Sequence, residues 1–247
     1  MNIVSNNPFH LRGKTILVTG ASSGIGREVA IQCAKVGARL VISGRDEARL
    51  NETLTALAGS DHRAVLADLT EQQQLHALVE QAGAIDGVVH GAGTHGKVPV
   101  RLISESSLDR VFSTNFNAPV LLTQRLLYQK NIRDGGSILF ISSIAAHTGT
   151  VGMGVYSASK TALIGLIRCL ALEVAKRGIR ANALSPGLVD TPLVNIDRAW
   201  LDEQSKKYPL GIGQPEDIAY AAIYFLSDAS RKITGTSFNM DGWIPFT

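Results

Sequence analysis

The chain has 247 residues, 45% of them hydrophobic, with 24 basic and 21 acidic side chains for a formal charge of +3. A single domain spanning 1–247 is expected, because this length suits one large core, and no basic face or tail suggests nucleic acid. No apolar run approaches the ~18 residues of a membrane span, and MNIVSNNPFHLRGK lacks the charged-then-apolar order of a secretion signal. Cys33 and Cys169 stand in neither a C-x-x-C nor a metal spacing; they are read as reduced core thiols of a cytoplasmic protein, and no metal is expected.

In chain order, short apolar runs alternate with segments of helical period. Strands are expected at TILVT (15–19), RLVIS (39–43), RAVLA (63–67), GVVHG (87–91), SILFIS (137–142), RANAL (180–184) and TSFNM (236–240). Helices are expected at about 24–36, 46–58, 71–82, 105–130, 156–177 and 215–228. Asp46, Thr70, Ser104 and the Pro215-Glu216-Asp217 run are candidate helix starts, where capping or anionic side chains meet free backbone N–H groups. Runs apolar on both faces suit a buried parallel sheet, so the fold class is α/β. Residues 188–213 fit the alternation poorly, and a long segment between a strand and the last helix suggests a functional loop.

The first strand runs into TGASSGIG (19–26), which contains GASSG, the pattern of a nucleophilic serine. A hydrolase of that kind needs a histidine late in the chain, yet His10, His62, His76, His90, His95 and His147 all precede the last hundred residues. The HGAG at 90–93 also follows Ser22 where an oxyanion loop should precede it. A phosphate-binding loop fits better: Gly20, Gly24 and Gly26 let backbone approach a pyrophosphate at a helix N-terminus. At the second strand's tip Gly44 stands where an acidic residue would take a ribose hydroxyl, and Arg45 follows, able to fork onto a 2'-phosphate. That favours NADP(H) over NAD(H); the alternative is a solvated Arg45 with Asp46 on the ribose.

VYSASK places Tyr156 and Lys160 four residues apart, on one face of a helix that starts near Tyr156. A phenol titrates near 10, and an ammonium at about 4 Å would contribute on the order of 4 kcal/mol at an effective dielectric of about 20, roughly three pK units at most. So poised, Tyr156 could exchange a proton with a carbonyl or an alcohol. Ser143 should lie just past the fifth strand's C-terminal tip, where ligands of open α/β sheets bind.

Together TGASSGIG, ADLT (67–70), GAG (91–93), STNFNAP (113–119), ISS (141–143), YSASK (156–160), NALSPGLVDTP (182–192) and ITGTSFNMDG (233–242) resemble the one-domain short-chain dehydrogenases/reductases, in order along the whole chain. The resemblance implies a Rossmann-type, doubly wound, mostly parallel sheet of order 3-2-1-4-5-6-7 with helices on both faces. It implies that Tyr156 is the proton donor or acceptor, that Lys160 lowers its pKa and holds the nicotinamide ribose, and that Ser143 binds the substrate oxygen. Asn115, mid-way along one long helix, would hold a water linking Lys160 to solvent. Gly20, Ser22, Ser23, Gly24, Ile25 and Gly26 would surround the phosphates, Asp68 and Leu69 the adenine, and Gly91, Ala92 and Gly93 the adenosine ribose. Pro186, Gly187, Val189 and Thr191 would meet the carboxamide and phosphates.

Two positions depart from the family pattern. Gly91 replaces the usual Asn after the fourth strand, so either His90 substitutes or a local hydrogen bond is lost; Trp243 follows Asp241-Gly242 where a second glycine is common. Trp243 could pack on a neighbouring subunit or close the substrate pocket. Residues 188–213 would form the substrate lid. The spacing is similar to that of bacterial β-ketoacyl carrier-protein reductases, making a 3-oxoacyl thioester the leading substrate. A sugar, polyol or steroid-like alcohol remains open, as does a non-catalytic dinucleotide sensor. Lys130, Arg133 and Arg177 could meet an acidic carrier or simply be solvated. A homotetramer through the two long helices and the last strand is expected, or a dimer.

Overall fold

The computed structural model describes residues 7–194 and 198–243. Seven strands, β1 (Thr15–Thr19), β2 (Arg39–Gly44), β3 (Arg63–Leu66), β4 (Ile85–His90), β5 (Ile132–Ile141), β6 (Arg180–Pro186) and β7 (Ser237–Met240), form one sheet in the order β3-β2-β1-β4-β5-β6-β7. All six pairings are parallel. Helices α1 (Gly24–Lys35), α2 (Glu47–Ala56), α3 (Gln72–Ala82), α4 (Glu105–Phe112), α5 (Ala118–Tyr128), α6 (Gly154–Val174), α7 (Arg198–Ser205) and α8 (Pro215–Leu226) cross between strands or follow them.

The two-residue period of the strands sends alternate side chains to two cores. Ile16, Val18, Leu40, Ile42, Val89 and Leu139 pack with Val29 and Cys33 of α1 and Ile218, Ala222 and Leu226 of α8. Leu17, Val41, Val88, Ile138 and Phe140 pack with Leu78 of α3, Leu122 and Leu126 of α5, and Leu163 and Ile167 of α6. Burial pushes the Cys33 thiol up to about 12, which keeps it an unreactive thiol. Cys169 is also free but lies exposed on α6, so the core-thiol expectation holds for Cys33 alone. Among the described residues no helix is long and apolar enough to cross a membrane.

Local chemistry accounts for several helix starts. The Asp46 carboxylate accepts the Arg49 N–H ahead of α2, and Ser104 and Ser107 bond reciprocally at the start of α4. Thr70 does not cap α3; its N–H and hydroxyl both donate to Asp68, and Glu71 takes the cap position. The single helix expected over 105–130 is broken. Between α4 and α5, Ser113–Asn117 form a π-helical turn in which the Ala118 N–H reaches back to Ser113 O. The cause is Pro119: it has no N–H to return to the Asn115 carbonyl, so the turn widens there. α7 was not expected; its eight residues are too few to show a helical period clearly.

Candidate active site

The strand tips at the C-terminal edge of the sheet build the first half of the site. Gly20 turns at φ +68°, and a Cβ there would lie 2.6 Å from the Ala92 nitrogen. A Cβ on Gly26 would come within 2.4 Å of the Gly20 oxygen, and one on Gly91 within 2.7 Å of the Thr19 oxygen. The β1 turn, the α1 start and the β4 tip therefore cross where side chains do not fit. Ser23 precedes α1 in extended conformation without a side-chain cap bond, and the first turn holds no acidic residue. Unclaimed N–H groups at a positive helix terminus suit an anion such as a pyrophosphate.

Ser22 has a buried hydroxyl without a hydrogen-bond partner. It fills the space above Gly44, where an added Cβ would sit 1.9 Å from its oxygen. Next along, the Arg45 guanidinium is exposed and lies 3.5 Å from Asp68. Burial alone would raise the Asp68 pKa, but hydrogen bonds from Thr70 and the charge of Arg45 hold it below the usual carboxylate range. Asp46 is occupied as the α2 cap. Leu69 and Ile25 pack at the edges of the two cores. After β6, Gly187 admits the Asp241 backbone, against which a Cβ would lie at 2.8 Å, and Val189 is buried. Thr191 comes against Gly24, where a Cβ would lie 3.3 Å from its own Cβ, joining this segment to the α1 start. These residues fit a dinucleotide.

Ser143, just past the end of β5, accepts the Ala145 N–H at 3.1 Å, and its hydroxyl lies close enough to Tyr156 to favour the charged phenolate. Tyr156 lies in the first turn of α6, which starts at Gly154, and Lys160 follows one turn later with its Nζ 5.8 Å from the phenol centroid. Lys160 is buried and donates to the Ile141 carbonyl at 2.7 Å; burial pushes its pKa down to about 8. Burial raises the Tyr156 pKa, with the nearby Ser143 hydroxyl acting in the opposite direction. The expected lowering of the phenol by Lys160 is not seen: its ammonium is engaged by the Ile141 carbonyl, 5.8 Å from the ring centroid, and burial of the phenol dominates.

Asn115 is buried in the π-turn. Its Oδ1 accepts the Thr94 N–H at 2.8 Å, and its Nδ2 donates to Thr94 O at 2.8 Å and to Ser159 Oγ at 3.1 Å. The side chain thus grips the loop after β4, and Pro119 withholds from the Asn115 carbonyl the N–H it would otherwise receive four residues on. A Cβ on Gly93 would sit 3.5 Å from Asn115 Oδ1 and 3.6 Å from Lys160 Nζ, so its absence keeps a gap between them. Thr94 and Ser159 are partners that sequence reading missed; nothing in their spacing signals the contact.

The substitution at Gly91 is met by Thr19, whose hydroxyl accepts the Ala92 N–H at 3.3 Å and donates to Val89 O at 3.4 Å. His90 turns away from the site, stacks on Phe140 with centroids 4.6 Å apart, and meets Thr123 of α5 at 2.8 Å. Trp243 is exposed at φ +66°, a strained conformation for a bulky side chain. Its N–H donates to Asp241 at 3.0 Å, and Gly242 before it abuts Gly211 at the end of the 188–213 segment. That segment is clasped at its base: Gly213 N–H donates to Leu188 O and Asp190 N–H to Gly213 O.

A Rossmann-type sheet with a glycine loop at its switch point and a Ser-Tyr-Lys constellation beside it defines a nicotinamide-dependent oxidoreductase. A family model described as enoyl-(acyl carrier protein) reductase, adh_short_C2, matches residues 20–243. The chain belongs to this family, the short-chain dehydrogenases/reductases, which act on hydroxyl and carbonyl groups with a nicotinamide coenzyme. It is 36% identical over 254 residues to a (3R)-3-hydroxyacyl-CoA dehydrogenase of Canis lupus familiaris, covering 96% of this chain and 98% of that protein. It is 32% identical to the 3-oxoacyl-(acyl-carrier-protein) reductase FabG of Rickettsia conorii, covering 94% and 97%. Among solved structures, 7 alpha-hydroxysteroid dehydrogenase in complex with NADH and 7-oxo glycochenodeoxycholic acid superposes with a TM-score of 0.88 at 29% identity, covering 97% of both chains.

Proposed function

We propose that the protein is an NADP(H)-dependent ketoreductase whose leading substrate class is the 3-oxoacyl thioesters. The observation that carries the chemistry is Tyr156 in the first turn of α6 with the buried Lys160 one turn on, its Nζ 5.8 Å from the phenol centroid, beside Ser143 at the tip of β5. When bound, the coenzyme supplies a hydride to the carbonyl carbon, or accepts one from the alcohol. In the reducing direction the Tyr156 hydroxyl gives its proton to the substrate oxygen, and Ser143 donates a hydrogen bond to that oxygen. Lys160 supplies positive charge near the phenol and holds the nicotinamide ribose; the Asn115 carbonyl holds a water on the route to solvent.

Gly44 and Arg45 support NADP(H): Ser22 occupies the place of an acidic side chain, and Arg45 is exposed for a 2'-phosphate. Two relatives named for acyl substrates support the thioester class. Carrier docking gains little, since Arg133 pairs with Asp86 at 2.7 Å and Arg177 with Asp134 at 2.8 Å. Residues 188–213, of which 195–197 lie outside the described residues, serve as the substrate lid. Sugar, polyol or steroid-like alcohols are the second reading, the last favoured by the steroid dehydrogenase superposition. Two free thiols fit a reducing, cytoplasmic compartment.

The test is NADPH oxidation across β-ketoacyl thioesters, simple ketones, sugars and steroids, with Tyr156→Phe alongside. The variant should lose at least about a hundredfold in kcat, the scale of general acid catalysis, while keeping coenzyme affinity. A wild-type chain that binds coenzyme yet turns over nothing on the panel would shift the reading to a dinucleotide sensor.

A further inference from the structure

The loop after β4 joins the catalytic turn to the lid through one histidine. Thr94 is gripped by Asn115 on both its N–H and its carbonyl, at 2.8 Å each. The next residue, His95, hydrogen-bonds through Nε2 to the Leu193 carbonyl, in the 3-10 turn Pro192–Val194 that opens the lid. A carbonyl only accepts, so Nε2 carries the hydrogen. Arg110 of α4 braces the loop from behind, its Nη1 lying 3.3 Å from both Thr94 Oγ1 and His95 O. The same lid turn follows Thr191, which packs on Gly24 at the coenzyme loop. One end of the lid is therefore held between the coenzyme loop and a loop that Asn115 ties to the Tyr156 helix through Ser159.

We propose that His95 is a positioning residue for the substrate: its hydrogen bond to Leu193 sets how closely the lid's first turn approaches Tyr156, and hence the width of the substrate space. The inference rests on the reading of 188–213 as the lid. The bond lies outside the proton-transfer group and outside the coenzyme cradle, so its loss should weaken substrate binding and lid closure without touching coenzyme affinity. Gln has an N–H donor at a reach similar to that of His Nε2; Ala has none.

The experiment compares wild type, His95→Ala and His95→Gln by steady-state kinetics, NADPH titration and trypsin cleavage after Lys206 and Lys207, both exposed in the lid. Loss of one exposed neutral hydrogen bond predicts a KM about three- to tenfold higher in His95→Ala. Cleavage should accelerate by a similar factor, because it follows the population of the open lid. Values of kcat and of NADPH Kd should stay within about twofold of wild type. His95→Gln should return both KM and cleavage toward wild type. Unchanged KM and cleavage in His95→Ala would overturn the proposal, as would a His95→Gln variant indistinguishable from it or a parallel loss of NADPH affinity. If wild type turned over no substrate, the substrate reading would fall, and the cleavage rates would still decide whether His95 latches the lid.

Discussion

The proton on His90 is located by its neighbour. Thr123 donates its hydroxyl hydrogen to Pro119 O at 2.8 Å, so toward His90 it can only accept, and Nε2 must carry the hydrogen. Nδ1 is then a buried acceptor without a partner, and burial pushes the His90 pKa down to about 3. An unfolded histidine titrates near 6.5. Between these values the unfolded chain binds the extra proton and the folded chain does not, so His90 costs stability as pH falls, by up to about 1.4 kcal/mol per pH unit. His90→Gln keeps an N–H for Thr123 but cannot titrate. Urea unfolding at pH 7.5 and pH 5 should show wild type losing about 2 kcal/mol more than this variant on acidification; equal losses would contradict the assignment. A histidine before the glycines was legible as a departure from pattern. That it faces Phe140 and α5, and that Thr19 replaces the missing Asn, were not, because both depend on which side of the strand a side chain emerges.

At the scale of elements, the glycine loop, the α1 start and the β2 tip meet in one cradle, and the proposed preference for NADP(H) rests on Ser22, Gly44 and Arg45. The Arg45 guanidinium, now 3.5 Å from Asp68, is the group able to exchange that exposed partner for a 2'-phosphate. Melting in the presence of matched NADPH and NADH should show the larger upward shift with NADPH, and Arg45→Ala should narrow the difference. A larger shift with NADH would overturn the preference. The loop, the strands and most helices were legible from glycine spacing and hydrophobic period. The break at Ser113–Asn117 was not read, although Pro119 announces it: a proline two residues into a helix removes the bond to the Asn four residues before. At that break the Asn115 side chain reaches Thr94 and Ser159.

For the whole molecule, the described surface keeps large apolar side chains where the two helices α5 and α6 face outward: Leu121, Tyr128 and Leu172 are exposed, Leu172 at 79%. Phe238 on the edge strand β7 is half-exposed. Exposure of this kind supports assembly through these elements. Sedimentation should find four chains per particle, and Leu121→Lys with Leu172→Lys should reduce that number without lowering the melting point of the chain by more than about 1 kcal/mol equivalent, since neither side chain is in the core. A wild-type monomer at micromolar concentration would refute the assembly.

The sequence by itself determined the alternation of strand and helix, the sheet order through its resemblance, and which side chains are the candidates for the chemistry, because hydrophobic period and motif spacing are local and survive translation into a string. Only the tertiary structure decided what surrounds them. Lys160 lies on the Ile141 carbonyl, burial raises the Tyr156 pKa, Asn115 holds Thr94, and His95 reaches Leu193 across 98 positions. The physical reason is that a pKa and a hydrogen bond are set by desolvation and by atoms within a few ångströms, and in a parallel sheet those atoms arrive from strands and loops far apart in the chain.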